Sequence, residues 1–312
     1  MKASSGRWDS SLVARQALAR FPEVYRGPMR RINFGENTTF RVQADGAVYA
    51  LRLYRPNRWG PDAINVEHEF MRFLGDALNV LPPIVGVDGE SLQCLPSGTC
   101  AALFHWVPGR SVQHTLAGGH IGQIGEFLAR LHERGRFFSD KDRRVKWNQE
   151  ELLRRSLSVI ESCWDTLFPD LYYDWRGRVE QLEEVWDAIA PEEGYLHGDM
   201  HASNLKFHQG HLYPIDFDDF GFGPLAYEFG VIGYNAIDEP LIFRPLLEGY
   251  NAASSGVVVT LDDMYLFTAV RAVFLMAWVL DRRDTFEPDE LMESAEANLR
   301  RVEAAARYLQ LD

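Results

Sequence analysis

The stretch Tyr195–Pro224, YLHGDMHASNLKFHQGHLYPIDFDDFGFGP, constrains this chain more than any other. It sets Asn204 five residues after Asp199, and Asp216 twelve residues after that. Leu205–His208 and His211–Ile215 carry strand-forming residues on either side of Gln209-Gly210. The pattern predicts a tight hairpin that brings Asn204 and Asp216 back to one end. Gly198 beside Asp199 favours a loop, and loops carried on rigid hairpins are where reactive groups are displayed. An acid, an amide and a second acid so arranged suit phosphoryl transfer. One carboxylate sits against an acceptor hydroxyl, while the amide oxygen and the other carboxylate hold Mg²⁺ on nucleotide phosphates.

A different chemistry uses the same stretch. His197 and His201 flank Asp199 and suggest a two-histidine metal site for hydrolysis. Gly198 argues against their sharing a helix face, and no third His or Cys stands at ligand spacing, since His208 and His211 flank the turn. His197 is better read as a brace for the loop.

The run His197-Gly198-Asp199-x-x-x-x-Asn204 keeps the H-R-D-x-x-x-x-N spacing of protein kinases, and Ile215-Asp216-Phe217 supplies their second acid. Together with His201, Asp219, Gly223 and Pro224 it resembles the aminoglycoside phosphotransferase and choline kinase family, whose fold is similar to that of eukaryotic protein kinases. The resemblance implies an α+β, two-lobed protein-kinase-like fold: a small N-lobe with an antiparallel sheet over residues 1–104, a hinge at 105–110, and a larger, mainly helical C-lobe over 111–312. It implies ATP and Mg²⁺ as cofactors, Asp199 as catalytic base, and Asn204 and Asp216 as metal ligands. It also implies that an acid after Gly223-Pro224 anchors the catalytic loop; Glu228 stands about there, one methylene longer than the usual Asp.

The first hundred residues fit a nucleotide-binding lobe. Met29–Phe34, Thr38–Gln43 and Val48–Tyr54 read as strands, with turns at Gly35-Glu36-Asn37 and Asp45-Gly46. The resemblance implies that the first turn, with Gly35 and Asn37, covers nucleotide phosphates; lacking G-x-G-x-x-G, it reads by itself as an ordinary hairpin turn. Arg52 occupies the position of the lysine that kinases carry on their third strand, with Glu67 as its helix partner and Glu69 as the fallback. Arg keeps the charge but changes reach and shape, and such a pair also occurs as a plain surface salt bridge. Phe104-His-Trp106-Val-Pro-Gly reads as the hinge, with Phe104 and Trp106 beside the adenine. The intervening Tyr54-Arg55-Pro56-Asn57-Arg58-Trp59 is similar to a segment of a bacterial stress-response kinase of this fold group that phosphorylates proteins.

A net charge of −13 over 312 residues leaves no basic surplus for nucleic acid or an anionic membrane. It favours a cationic acceptor; the resemblance implies that the C-terminal helices wall the acceptor site, which makes Asp238, Glu239, Asp262, Asp263 and Asp281 candidates to meet it. The expected acceptor is the hydroxyl of a small molecule: an amino alcohol, an aminosugar or a homoserine-like compound. A protein Ser/Thr acceptor is the alternative, and a silent ATP-binding module, suggested by Arg52, is the reading from another class. Cys94, Cys100 and Cys163 are too few for a disulfide framework and suit a reducing cytoplasm. The apolar run Ala272–Leu280 is too short to span a bilayer, and the N-terminal stretch has no secretory core. Helices are expected at 121–132, 150–166, 171–190, 225–234, 240–251, 261–281 and 289–309, with residues 137–149 as a charged surface loop and His132 packed near the catalytic loop.

Overall fold

Alternation of apolar residues with period two shapes the first part of the chain. In the computed structural model, which describes residues 10–34, 37–107, 109–112, 120–139 and 143–311, the chain divides into two units, Met1–Gly109 and Arg110–Asp312. The first unit contains strands β1 (Met29–Phe34), β2 (Thr38–Ala44), β3 (Ala47–Leu53), β4 (Gln93–Cys94) and β5 (Cys100–His105), and helices α1 (Ser10–Leu18) and α2 (Pro61–Leu74). The sheet order is β1-β2-β3-β5-β4, with every neighbouring pair antiparallel.

One sheet face carries Phe40, Val42, Tyr49, Leu51, Leu53 and Leu103, buried with Ala14, Ala17 and Leu18 of α1 and with Phe21. The opposite face of β3 carries Arg52, and its neighbours there are Tyr54, Ile64 of α2 and Ala102. Because strand side chains alternate, a one-residue slip would drive the guanidinium into the apolar core, so burial fixes the register. Helix α2 starts with a proline at its first turn and stops at Gly75, whose φ of 43° is left-handed. Pairing of β4 with β5 sets Cys94 directly opposite Cys100, and the two form a disulfide, which corrects the expectation of unpaired thiols. Cys163 stays free.

The second unit is mainly helical. Its helices are α3 (Ile121–Gly135), α4 (Arg155–Glu161), α5 (Trp164–Leu167), α6 (Trp175–Ile189), α7 (Tyr227–Ala236), α8 (Phe243–Ala253), α9 (Leu261–Asp281) and α10 (Pro288–Leu309). Two small sheets sit among them: β6 (Arg110–Ser111) with the hairpin β9 (Leu205–His208) and β10 (His211–Pro214), and β7 (Val145–Lys146) with β8 (Glu193–Leu196) and β11 (Gly221–Pro224). The expected helix over 150–166 is a π-turn at Glu150–Arg154 followed by α4 and α5. Helices α3 and α8 cross closely because Gly125 and Gly249 face backbone of the partner helix, and a Cβ on either would collide with it.

Helix α9 is the axis of this unit. It is long and apolar enough to cross a membrane, yet 78% of its most apolar stretch is buried inside the protein. It therefore serves as a core helix packed by α4, α6, α7 and α10. Thr260 caps its start, and Asp263 reaches back to the Thr260 backbone N–H.

His132 is buried on α3, against α8. Its Nδ1 is paired at 3.0 Å with the Tyr250 hydroxyl of α8, and burial pushes its pKa from 6.5 down to about 3. In that window the unfolded chain binds a proton that the folded chain does not, so stability falls as pH drops below 6.5. Between pH about 7.5 and about 4.5 this one group should remove roughly 2–3 kcal/mol. Thermal unfolding of His132→Gln against wild type across that range should show the variant less acid-sensitive; equal slopes would contradict the assignment.

Candidate active site

The chain leaves β8 at Leu196 and turns at Gly198, whose φ is 80°. A Cβ there would collide with the carbonyl oxygen of Asp219, so only glycine lets the loop pass this close to the turn after Asp216. Glu228, in the first turn of α7, pins the loop through its Oε1, which accepts the backbone N–H groups of His197 and of Gly198, the latter at 3.1 Å. Burial pushes the Glu228 carboxyl up to about 7, and the two backbone donors oppose that shift.

His197 is fully buried, and both ring nitrogens are occupied. Nδ1 accepts the Asp199 N–H at 3.3 Å, which assigns the proton to Nε2, the donor to the Ile215 carbonyl at 3.0 Å. Burial lowers its pKa to about 4, in keeping with a neutral ring. His201 accepts the Ser203 N–H on Nδ1 at 3.2 Å and directs Nε2 to Asp199 Oδ2 at 3.4 Å. Neither ring presents the lone pair that a two-histidine metal site requires. Among the described residues no group of three or more His, Cys, Asp or Glu side chains could hold a metal.

The hairpin forms as the sequence predicts. β9 and β10 pair Leu205 with Pro214 and His208 with His211 around Gln209 and Gly210, whose φ values of 48° and 82° suit a two-residue turn. At its open end the Ile215 N–H donates to the Asn204 carbonyl at 2.8 Å, so Asn204 and Asp216 are brought together. Asn204 spends its amide NH₂ on Asp199, at 3.0 Å to the backbone oxygen and 3.2 Å to Oδ2. Its own Oδ1 is thereby left as the atom available to a cation. Asp216 has a left-handed φ of 68°, a strained conformation for a non-glycine residue. An amide oxygen and a carboxylate are hard donors of the kind Mg²⁺ takes, with phosphate oxygens and water completing its shell.

Asp199 stands at the centre, its side chain 24% exposed. Arg271 of α9 donates from Nη2 to Asp199 Oδ1 at 2.6 Å. Burial works against the Asp199 charge, but the His201 bond and the Arg271 guanidinium outweigh it and hold the carboxyl below its usual range. The turn that follows Asp216 is clamped from residues expected to be a surface loop. Buried Arg144 donates to the carbonyls of Phe220 at 2.7 Å and Asp218 at 2.5 Å, and Trp147 Nε1 donates to that of Asp219 at 3.0 Å. Strand β7 lies between these two residues; Arg144 and Trp147 are buried, while Phe137, Arg143, Lys146 and Asn148 are exposed as expected of a surface segment.

In the first unit, Arg52 Nη1 is 3.5 Å from Glu67 Oε1, with the Glu67 side chain fully buried. The rings of Phe104 and Tyr54 lie 5.3 and 5.8 Å from the guanidinium. Burial and this aromatic cradle set the pair apart from a plain surface salt bridge, and Glu67 rather than Glu69 is the partner. Asn37 accepts the Arg55 N–H at 3.0 Å, tying the first turn to the Tyr54–Trp59 segment. Trp106 is 38% exposed and lies 5.8 Å from the Arg41 guanidinium. Gly35 lies outside the described residues.

The acidic residues expected to meet a cationic acceptor lie towards the two ends of α9 and beyond the end of α7. Asp262, Asp263 and Asp281 are eight to ten positions along α9 from Arg271, about 12–15 Å by helix rise. Asp238 and Glu239 follow the far end of α7, at least about 12 Å from Glu228. Arg271, Arg144, Trp147 and Tyr227 were not singled out from the sequence. For Arg271 a signal existed: a lone charge inside an apolar helix is seldom buried without a partner.

A loop-borne acid, an amide and a second acid on one hairpin, with a buried Arg–Glu pair on a separate antiparallel sheet, define a protein-kinase-like phosphotransferase. Residues 30–263 match the phosphotransferase enzyme family, and the chain belongs to it. Stress response kinase A of Salmonella paratyphi A is 26% identical over 267 residues, covering 80% of this chain and 76% of that protein. Among solved structures, a microcompartment-associated aminopropanol kinase superposes with a TM-score of 0.79 at 22% identity, covering 96% of this chain and 98% of the other. Amicoumacin kinase hAmiN, in complex with AMP-PNP, Ca²⁺ and Ami, gives 0.74 at 19% identity, covering 95% and 94%.

Glu228→Ala would strand the two buried N–H groups of His197 and Gly198. It should lose roughly 2–4 kcal/mol in chemical denaturation. Glu228→Gln keeps an acceptor oxygen and should lose less than half as much. Equal losses would show that the anchor acts through its negative charge, which Gln lacks, rather than through volume or an acceptor oxygen alone.

Proposed function

We propose that this chain transfers the γ-phosphoryl group of Mg·ATP to the hydroxyl of a small molecule, with Asp199 as the base. The observation that carries the reading is the Asp199 carboxylate, partly open to solvent and held by Asn204 and Arg271, on the loop that the hairpin and α7 fix. Asp199 accepts the acceptor's proton as the hydroxyl oxygen bonds to the γ-phosphorus. The bond from phosphorus to the β,γ-bridging oxygen breaks, its electron pair leaves with ADP, and the proton passes from Asp199 to solvent. Mg²⁺, when bound, would neutralise charge on the phosphates. Asn204 Oδ1 and the Asp216 carboxylate would hold it, and Arg52, kept in place by Glu67, would bond nucleotide phosphate bidentately.

The small-molecule reading is supported by the aminopropanol and amicoumacin kinases that share the fold. A protein Ser/Thr acceptor is the second reading, supported by the kinship to stress response kinase A and by the segment Arg55–Trp59, where Arg58 lies 5.7 Å from the Trp59 ring.

ADP release by the purified protein with Mg·ATP, measured against a panel of small hydroxyl compounds and a generic protein substrate, tests both. Acceptor-dependent release should fall roughly 10²–10⁴-fold in Asp199→Ala with ATP affinity retained. Binding of ATP with no turnover on any acceptor would instead favour a silent module. Arg52→Ala should raise the KM for ATP at least about tenfold, and Arg52→Lys, which keeps the charge without the bidentate fork, should fall between it and wild type; an unchanged KM in Arg52→Ala would remove the phosphate role.

A further inference from the structure

The cation that faces Asp199 belongs to no motif of the catalytic stretch. Arg271 lies 72 positions away in sequence, midway along α9, and its side chain is 7% exposed. Nη2 donates to Asp199 Oδ1 at 2.6 Å, while Nη1 donates to the Tyr227 hydroxyl at 2.9 Å and, more weakly, to the Gly198 carbonyl at 3.5 Å. The Tyr227 and Phe274 rings lie 5.9 and 5.7 Å from the guanidinium, and Trp147 packs against both rings. The guanidinium is thus held by hydrogen bonds in its plane and by aromatic rings beside it.

Such a pair is a poor choice if stability alone is wanted. Arg271 Nε is buried with no hydrogen-bond partner among the described residues, and desolvation of a buried ion pair offsets much of its attraction. Geometry is the better explanation. An ionised carboxylate offers about four lone-pair sites. On Asp199, Asn204 and His201 face Oδ2, and Arg271 takes one side of Oδ1. A single site then remains, on Oδ1. The terminal torsion of an aspartate is broad, so a carboxylate held on Oδ2 alone would turn readily.

We propose that Arg271 is a positioning residue for phosphoryl transfer: by fixing Oδ1 it stops rotation of the Asp199 carboxylate and presents the remaining lone pair to the acceptor hydroxyl. This rests on the reading of Asp199 as the base. Arg271 touches neither reacting atom, and its effect passes entirely through Asp199. Lysine would keep the charge, but a single ammonium lacks the planar fork that spans Asp199 and Tyr227.

The test is a double-mutant cycle in the full chain with Arg271→Met, Arg271→Lys, Asp199→Ala and the double variants, accompanied by crystal structures of the Arg271 variants. Arg271→Met should lose about 100-fold in kcat with the KM for Mg·ATP within about twofold of wild type. Arg271→Lys should recover part of that loss. Adding either change to Asp199→Ala should slow residual turnover no further. A raised KM with unchanged kcat, or a further loss on top of Asp199→Ala, would overturn the proposal. If Arg271→Met gives no cooperative melt, Arg271→Lys carries the same comparison. The crystal structures separate this proposal from the assigned reaction: an Asp199 carboxylate unmoved in a folded Arg271 variant overturns the positioning role whatever the turnover. A wild type inert toward every acceptor, with Asp199 displaced in the variant, counts against the phosphotransfer reading and leaves the clamp standing.

Discussion

A buried carboxylate accepting two backbone N–H groups holds the whole site in register. Glu228 carries the start of α7 into contact with His197 and Gly198, and through them it fixes where Asp199 begins. His197 relays the constraint, because its two ring nitrogens join the Asp199 N–H to the Ile215 carbonyl, next to Asp216. The Asp199 loop and the hairpin end are therefore one hydrogen-bonded unit. Loosening one end moves the other.

Buried charge follows a common logic in the two units. Arg52 with Glu67, and Arg271 with Asp199, each place a guanidinium against a carboxylate and flank it with aromatic rings. The rings exclude water from around the charge and limit the positions open to the planar head group. Orientation is what each arrangement gains, since burial of an ion pair yields little net stability. Acidic side chains elsewhere act locally, as Asp263 does in capping α9, or face solvent, as Asp281 does at its end.

Much of the site was legible because its determinants are local. Asp199, Asn204 and Asp216 lie within a span that one hairpin folds back on itself, and turn chemistry at Gln209-Gly210 is readable residue by residue. Helix α9 was legible from Leu261 to Asp281, and the strand register that sets Arg52 apart from the apolar core follows from alternation. Within 137–149 the buried roles of Arg144 and Trp147 were not legible, because charge and irregularity look the same whether a residue is solvated or clamps carbonyls, and Arg144 does the latter. Disulfide pairing of Cys94 with Cys100 was missed because it depends on which strands become neighbours.

By itself the sequence determined the hairpin, the spacing of acid, amide and acid, and the chemistry those groups suit, while the fold class came from the family resemblance those motifs carry. Periodicity and turn residues act over a few positions, and such interactions are written into adjacent residues. Tertiary structure alone decided which cation would stand on Asp199 and which residues would clamp the turn after Asp216. Those outcomes depend on packing, and packing joins side chains whose separation along the chain carries no local signature.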